Sequence, residues 1–471
     1  MAFSESGVDN PRVTTTRSAP ATLERRLGPL DGAAIIVSNV IGAGILFTPP
    51  VIAMGVPNAL LYLSVWFAGG LLAFAGALAY AELAALRPRA GGEYVYLRDA
   101  FGRIAAFLTG WTSFVAGFSG AIAAVALVLP FYLARFAPAA GNTTPFFAIP
   151  VIPGTFELAF SPQTIIALAL VWALAFVHIR GVGPGRFVSN LLATLKVSAF
   201  VLFIAFGFSL GTGESDRLTE VVAPVSAAGW FLALLAVGFT YSGWNAAAYV
   251  AEEIRDPGRN APRAFALGTG AVIAIYLLMN ALYLYVVPVG ELATLKGSVL
   301  DIVADRLIGA TAGNIMGIVG IISLAASANA MTFAGPRVYF AMARDGMFFQ
   351  RAADVHPRYR TPAVSIVAQT IWASLLVLSA KADALINYTG FAIWLFSGLA
   401  VAGLFVLRWR EPHAERPFRT WGYPVVPALY AVVAFVVIVN GLIRDPGPTG
   451  AGALIILAGI PLYYFFTRRE G

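Results

Sequence analysis

No charged residue occurs between Asp31 and Glu82, Arg103 and Arg135, Glu220 and Glu252, or Arg263 and Glu291. Each such stretch exceeds the roughly 20 apolar residues with which an α-helix crosses a bilayer. The first is long enough for two crossings, with Pro49, Pro50, Pro57 and Asn58 as turn material between them. Only 12% of the 471 residues are charged, about half the share of a soluble domain. A chain so poor in charge does not cover itself in water, which predicts an all-α polytopic membrane protein.

Twelve spans are predicted, near residues 33–55, 59–86, 101–135, 161–180, 187–210, 226–253, 264–288, 311–343, 362–380, 385–407, 425–443 and 449–467. Lysine and arginine then alternate: 23 of the 31 fall in the N-terminal tail and every second loop, and 6 in the remaining loops. By the positive-inside rule both termini are cytoplasmic, in a cell inner (plasma) membrane. Segment 291–309 is too charged to cross and reads as a short helix over the outer face. Residues 1–30 are polar, contain Arg12, Arg17, Arg25 and Arg26, and lack the apolar core of a signal peptide; they read as a flexible cytoplasmic tail. The rest divides into 31–210 with spans one to five, 221–407 with spans six to ten, and 425–467 with the last two. The chain has no cysteine, so disulfides, thiolate metal sites and thiol nucleophiles are absent.

Two spans carry glycine-centred irregular segments near their middles, Val40-Ile41-Gly42-Ala43-Gly44 in span one and Tyr241-Ser242-Gly243-Trp244-Asn245 in span six. They lie five spans apart, hence in equivalent places if spans 1–5 and 6–10 are repeats. Because five is odd, the second repeat enters the bilayer from the opposite side. Paired interruptions of this kind point to a transporter's midplane site. Opened backbone offers amides at one half-helix and carbonyls at the other, which suit the carboxylate and ammonium of an amino acid. Glycines lining helix–helix contacts are the bland alternative; the matched pair favours the site. Lys196 lies near the centre of span five, where a buried ammonium marks function unless it snorkels to the interface. It is placed to reach carbonyls of span one and Ser327 of span eight, standing in for a metal cation. Spans 1, 3, 6 and 8 carry no carboxylate near their middles, so neutral cargo is favoured. Ala43, Thr240, Ala246 and Ala247 are read as small pocket walls, Glu82, Glu252 and Glu253 as solvated helix ends, and Arg337 as facing the cytoplasmic vestibule.

Ile41-Gly42-Ala43-Gly44-Ile45 followed by Pro49 resembles the first-helix signature of the amino acid–polyamine–organocation superfamily. Phe239 to Asn245, continuing to Glu252-Glu253-Ile254 and Arg259-Asn260-Ala261-Pro262-Arg263, resembles the sixth helix of its L-type branch. Pro88-Arg89-Ala90-Gly91-Gly92-Glu93-Tyr94 and Ala343-Arg344-Asp345-Gly346 look like that branch's cytoplasmic loops. The ordered matches cover residues 31–362. The resemblance implies a LeuT-like five-plus-five inverted repeat with two added helices. It implies a substrate carboxylate on the backbone of Ala43 and Gly44, and an ammonium on carbonyls of Val40, Phe239 and Ser242, with Ile41, Gly42, Thr240 and Asn245 completing the pocket. It makes Phe239 the outer lid and matches Lys196 to the fifth-helix lysine of sodium-independent members. Members often have Ser or Thr where this chain has Ala43, so that hydroxyl contact is missing. Animal members join a glycoprotein subunit through a cysteine after span three; residues 136–160 contain none, which implies a stand-alone carrier.

The expected activity is sodium-independent transport of neutral L-amino acids, as exchanger or facilitator. Proton-coupled symport is the alternative, and a cationic amino acid or amine carrier ranks lower. A membrane enzyme is disfavoured, because His178, His356 and His413 all lie at cytoplasmic ends or loops, and no paired carboxylates, metal-ligand spacing or cofactor motif occurs at membrane depth. No ring of charge or filter-like repeat suggests a channel.

Overall fold

The computed structural model describes residues 23–468 apart from 153–155, 211–212, 310–311, 380–381 and 445. The apolar runs fold as helices bounded by ordinary stop and start chemistry. Pro29 opens α1a (Pro29–Val40), where Asp31 accepts from the Gly28 amide at 2.6 Å. The helix restarts as α1b (Ala43–Phe47) and runs through Thr48 in helical geometry into Pro49–Gly55. Asn58 caps α2 (Ala59–Leu86) by accepting from Leu61 N at 3.0 Å. There follow α3 (Arg103–Leu133), α4 (Pro162–Ile179, capped by Ser161) and α5 (Val182–Leu210). The second half comprises α6a (Ala227–Thr240), α6b (Ala246–Tyr249), α7 (Pro257–Val286), α8 (Ala312–Arg344), α9 (Ala363–Leu378) and α10 (Ala382–Arg410). Then come α11 (Val425–Arg444) and α12 (Thr449–Thr467).

Among the described residues, ten helices are long and apolar enough to cross a membrane, and α6a and α9 are shorter apolar helices where spans six and nine are predicted. The α6 helix falls short because it is broken. At 16 residues, α9 reaches about 24 Å at the α-helical rise. Segment 291–309 contains the helix Val299–Ile308. The loop after α3 holds an antiparallel hairpin, β1 (Phe147–Ile152) with β2 (Phe156–Phe160), which the sequence does not announce. Residues 23–28, assigned to the tail, include Leu27, whose backbone pairs with Glu253 and Arg255; residues 1–22 lie outside the described residues.

Helices five apart in order pack on one another: α1a on α6b, α2 on α7, α3 on α8 and α4 on α9. A twofold relation between two halves produces this pattern, since equivalent elements meet across the axis, and it fits a LeuT-like inverted repeat. Of the apolar stretch of α8, 72% is buried, against 17% and 22% for α11 and α12, so the last two helices clad the bundle from outside.

Glu82 and Glu253 are not solvated helix ends, and Arg337 does not face an open vestibule, contrary to expectation. Glu253 and Arg337 are both fully buried and pair at 2.7 Å. Glu82, equally buried, pairs with Arg408 at 2.6 Å and Arg416 at 3.2 Å and accepts from Thr420 N at 2.7 Å. Glu252 pairs with Arg344 and Asp345 with Arg98. Five segments far apart in the sequence close onto each other here, and full burial makes Glu82 and Glu253 require their cations. Replacing Glu253 by Ala leaves the Arg337 guanidinium buried without its partner. We expect a loss of about 3–5 kcal/mol, seen as a lower melting temperature of the purified protein, whereas Glu214→Ala on the exposed surface leaves it unchanged.

Candidate functional site

Both sequence breaks are real breaks. After Val40, Ile41 is extended (φ −74°, ψ 97°) and Gly42 lies outside the helical region (φ −144°, ψ −142°), before helix resumes at Ala43. After Thr240 the chain turns through Tyr241–Asn245, with Gly243 at φ +103°, a conformation that side-chain-bearing residues rarely adopt. A Cβ on Gly243 would stand 2.7 Å from Asn39 Nδ2, and that amide donates to the Gly243 carbonyl at 3.3 Å. A Cβ on Gly44 would stand 2.7 Å from Thr240 Cγ2. Glycine therefore lets the two breaks touch.

Freed carbonyls in an apolar interior need donors. Lys196, fully buried, donates through Nζ to the carbonyls of Ser38, at 3.1 Å, and of Ile41. It does not snorkel. Ser327 Oγ lies 2.9 Å from the same Ser38 oxygen and Ser323 Oγ 3.1 Å from that of Ile41. The Tyr276 hydroxyl, from α7, lies 2.9 Å from the Val40 carbonyl and 3.3 Å from that of Thr240, so one group serves both breaks.

Between the breaks lies a cavity of about 240 Å³. Of the residues singled out in the sequence, Val40, Gly42, Ala43, Gly44, Phe239, Thr240, Ser242, Asn245 and Ser327 line it. Ile41 and Lys196 do not; they sit behind the wall, joined to each other. Ala246 and Ala247 are fully buried in packing rather than pocket walls. Trp244 wedges between Tyr80 (ring centroids 4.8 Å) and Tyr430 (5.5 Å), anchoring the α6 break. Phe239 is 36% exposed and lies against Gly390 of α10.

The sequence reading misses several lining groups. The middle of α3 winds as a π-helix over Ser113–Gly117 and presents Thr112, Ser113 and Phe118 to the cavity; such turns recur at functional sites, and Gly117 is the only hint of it. Tyr276, behind the wall rather than lining the cavity, is missed as well, because its partner groups are backbone. Most consequential is Glu93, placed in a loop by sequence yet facing the cavity. It therefore corrects the expectation that no carboxylate attends the site. Its Oε1 accepts from Tyr80 OH at 2.7 Å and Asn245 Nδ2 at 2.6 Å. Asn245 Nδ2 also donates to Tyr249 OH at 3.0 Å. Burial pushes the Glu93 carboxyl above the ordinary range, against the pull of hydrogen bonds from Tyr80, Asn245 and Tyr249.

The amino acid permease family profile matches residues 27–466. The chain is 29% identical over 450 residues to the serine/threonine exchanger SteT of Bacillus subtilis (strain 168), spanning 95% of this chain and 98% of that one. It is 30% identical over 452 residues to the human large neutral amino acids transporter small subunit 2, spanning 94% and 80%. To the human cystine/glutamate transporter it is 29% identical over 447 residues, spanning 94% and 85%. Broken helices around a cavity, with these likenesses, define an amino acid transporter rather than an enzyme. The chain belongs to the amino acid permease family, on the L-type-like side of the amino acid–polyamine–organocation superfamily.

Gly243→Ala places a side chain in left-handed backbone and against Asn39. It is expected to cost about 1–3 kcal/mol and to weaken substrate binding, both read by thermal unfolding with and without amino acids. Gly270→Ala, whose Cβ meets nothing within 4 Å, serves as the neutral comparison.

Proposed function

We propose that this protein carries neutral L-amino acids across the plasma membrane independently of sodium, by exchange or facilitated alternating access. The observation that carries the reading is Lys196. Its ammonium occupies the carbonyls of Ser38 and Ile41, which would otherwise attract a cation, so the carrier needs no metal to hold the α1 break in shape. The substrate carboxylate takes the free amides at Ala43 and Gly44, where the helical backbone beyond favours negative charge. Its ammonium takes carbonyls at Val40, Phe239 and Ser242; a carbonyl has two lone pairs, so the Tyr276 contact on Val40 leaves room. Phe239 closes over it from outside. Neutral side chains fit the mostly apolar remainder, including Ala121, Val125 and Phe396, because Glu93 is engaged by donors of its own. Both termini are cytoplasmic, and with no cysteine in the chain the carrier works without a disulfide-linked subunit.

In proteoliposomes, uptake should be indifferent to replacing sodium by choline; an exchanger requires amino acid inside, and a facilitator does not. Lys196→Ala is expected to lower the rate about tenfold or more, since hydrogen bonds to charged groups contribute about 1.5–3 kcal/mol, with helical content retained. Uptake that depends on sodium would remove the assignment of Lys196.

Glu93 favours a second reading, proton coupling. It faces the cavity, and the titratable groups around it are tyrosines: Tyr80 from α2, Tyr249 from α6b, Tyr96 from its own helix and Tyr430 from α11. A carboxyl held above the ordinary range takes up its proton nearer neutrality as pH falls. If it is the coupling group, acid outside accelerates uptake and Glu93→Gln abolishes that response. Uptake insensitive to an imposed pH gradient retires this reading and leaves exchange standing.

A further inference from the structure

A second cavity, of about 600 Å³, lies at the basic end of the bundle, between the start of α7, the end of α2 and the segment joining α10 to α11. Its walls differ by depth. Arg259 and Arg263, one helical turn apart on α7, stand at the rim with Asp256 and the 64%-exposed Trp421. Leu78 lies two turns inside the end of α2, and Ala266 lies further along α7. Both arginines are exposed and, among the described residues, neither forms an ion pair. Of the other basic side chains at this end, Arg408 and Arg416 are committed to Glu82 and Arg344 to Glu252. The cavity opens beside the outward face of the bundle, where Leu267 of α7 and Val425 and Leu429 of α11 are 51%, 71% and 57% exposed.

We propose that this groove binds one anionic phospholipid of the inner leaflet. Arg259 and Arg263 take the phosphate, Trp421 sits at headgroup level, and the acyl chains follow the apolar depth past Ala266 toward Leu267. The charge arithmetic selects an anion, since two cations outweigh Asp256. The apolar depth selects a lipid over free phosphate, which has nothing to place there. Basic pockets between helices at this level suit anionic headgroups, and an exposed tryptophan suits the interface. The bound lipid braces a structural joint: Arg416, next to wall residue Pro417, reaches Glu82 between wall residues Leu78 and Ala85. Lipid occupancy therefore stabilises the ion-pair seal at that end. The proposal is independent of which amino acid is carried and is tested without transport.

The full-length protein in mild detergent is titrated with phosphatidylglycerol, phosphatidylcholine or inorganic phosphate, and binding is followed by native mass spectrometry and thermal unfolding. Phosphatidylglycerol should bind in one-to-one ratio and raise the melting temperature. The double variant Arg259→Gln, Arg263→Gln should bind it about tenfold more weakly. Equal binding of phosphatidylcholine, saturation by phosphate alone, or undiminished binding by the variant would overturn the proposal. A photoreactive phosphatidylglycerol on the unaltered protein covers the case in which the variant misfolds: cross-links within 256–267 or 417–425 support the site, and cross-links confined elsewhere remove it.

Discussion

The structure turns on an ammonium meeting carbonyl oxygens that a helix has given up. Breaking α1 after Val40 strands backbone acceptors in the buried interior of the bundle, where each left unpaired would cost free energy comparable to a lost hydrogen bond. Lys196 serves the oxygens of Ser38 and Ile41, and Ser323 and Ser327 serve them again from α8. The lysine in turn is tolerable only there, because an isolated charge in the bundle would be far costlier than a paired one. Each feature makes the other possible, and together they leave an open stretch of main chain facing a cavity.

The middle of the bundle and its basic end are held together by different physics. Near the breaks, Lys196 apart, the contacts are neutral and small: glycine against threonine, tyrosine hydroxyl against carbonyl. At the basic end they are charged and multiple, with the Glu253–Arg337 pair fully buried and Glu82 shared between two arginines. Buried pairs of this sort contribute little net stability but penalise any rearrangement that parts them singly. Seams of this kind come apart all together or stay shut, which suits a carrier whose two faces must not be open at once.

Much of this was legible in the chain. Uncharged runs located the helices, and Gly42 and Gly243 marked where helix stops, because each reflects local chemistry. Lys196 was legible for the same reason: an ionisable residue in mid-span has few innocent explanations. What escaped was relational. Glu93 reads as a loop residue, and only the folding of its short helix (Glu93–Phe101) beneath Asn245 turns it toward the cavity. Glu82 and Glu253 look like helix ends until their partners Arg408 and Arg337 arrive from 326 and 84 residues away. Ala246 and Ala247 have the right size for pocket walls but the wrong phase about α6b. The π-turn in α3 leaves almost no compositional trace, since any small residue can occupy it.

Tyr276 has one proton to give and two carbonyls within reach, at 2.9 and 3.3 Å, one from each interrupted helix. A hydroxyl so shared behaves as a pin through two leaves of a hinge. Sliding the leaves together costs nothing, whereas prising one from the other by as little as an ångström strands an oxygen. The interrupted helices are thereby yoked, and motion that carries cargo past them is cheapest when both travel as a single body against the surrounding frame.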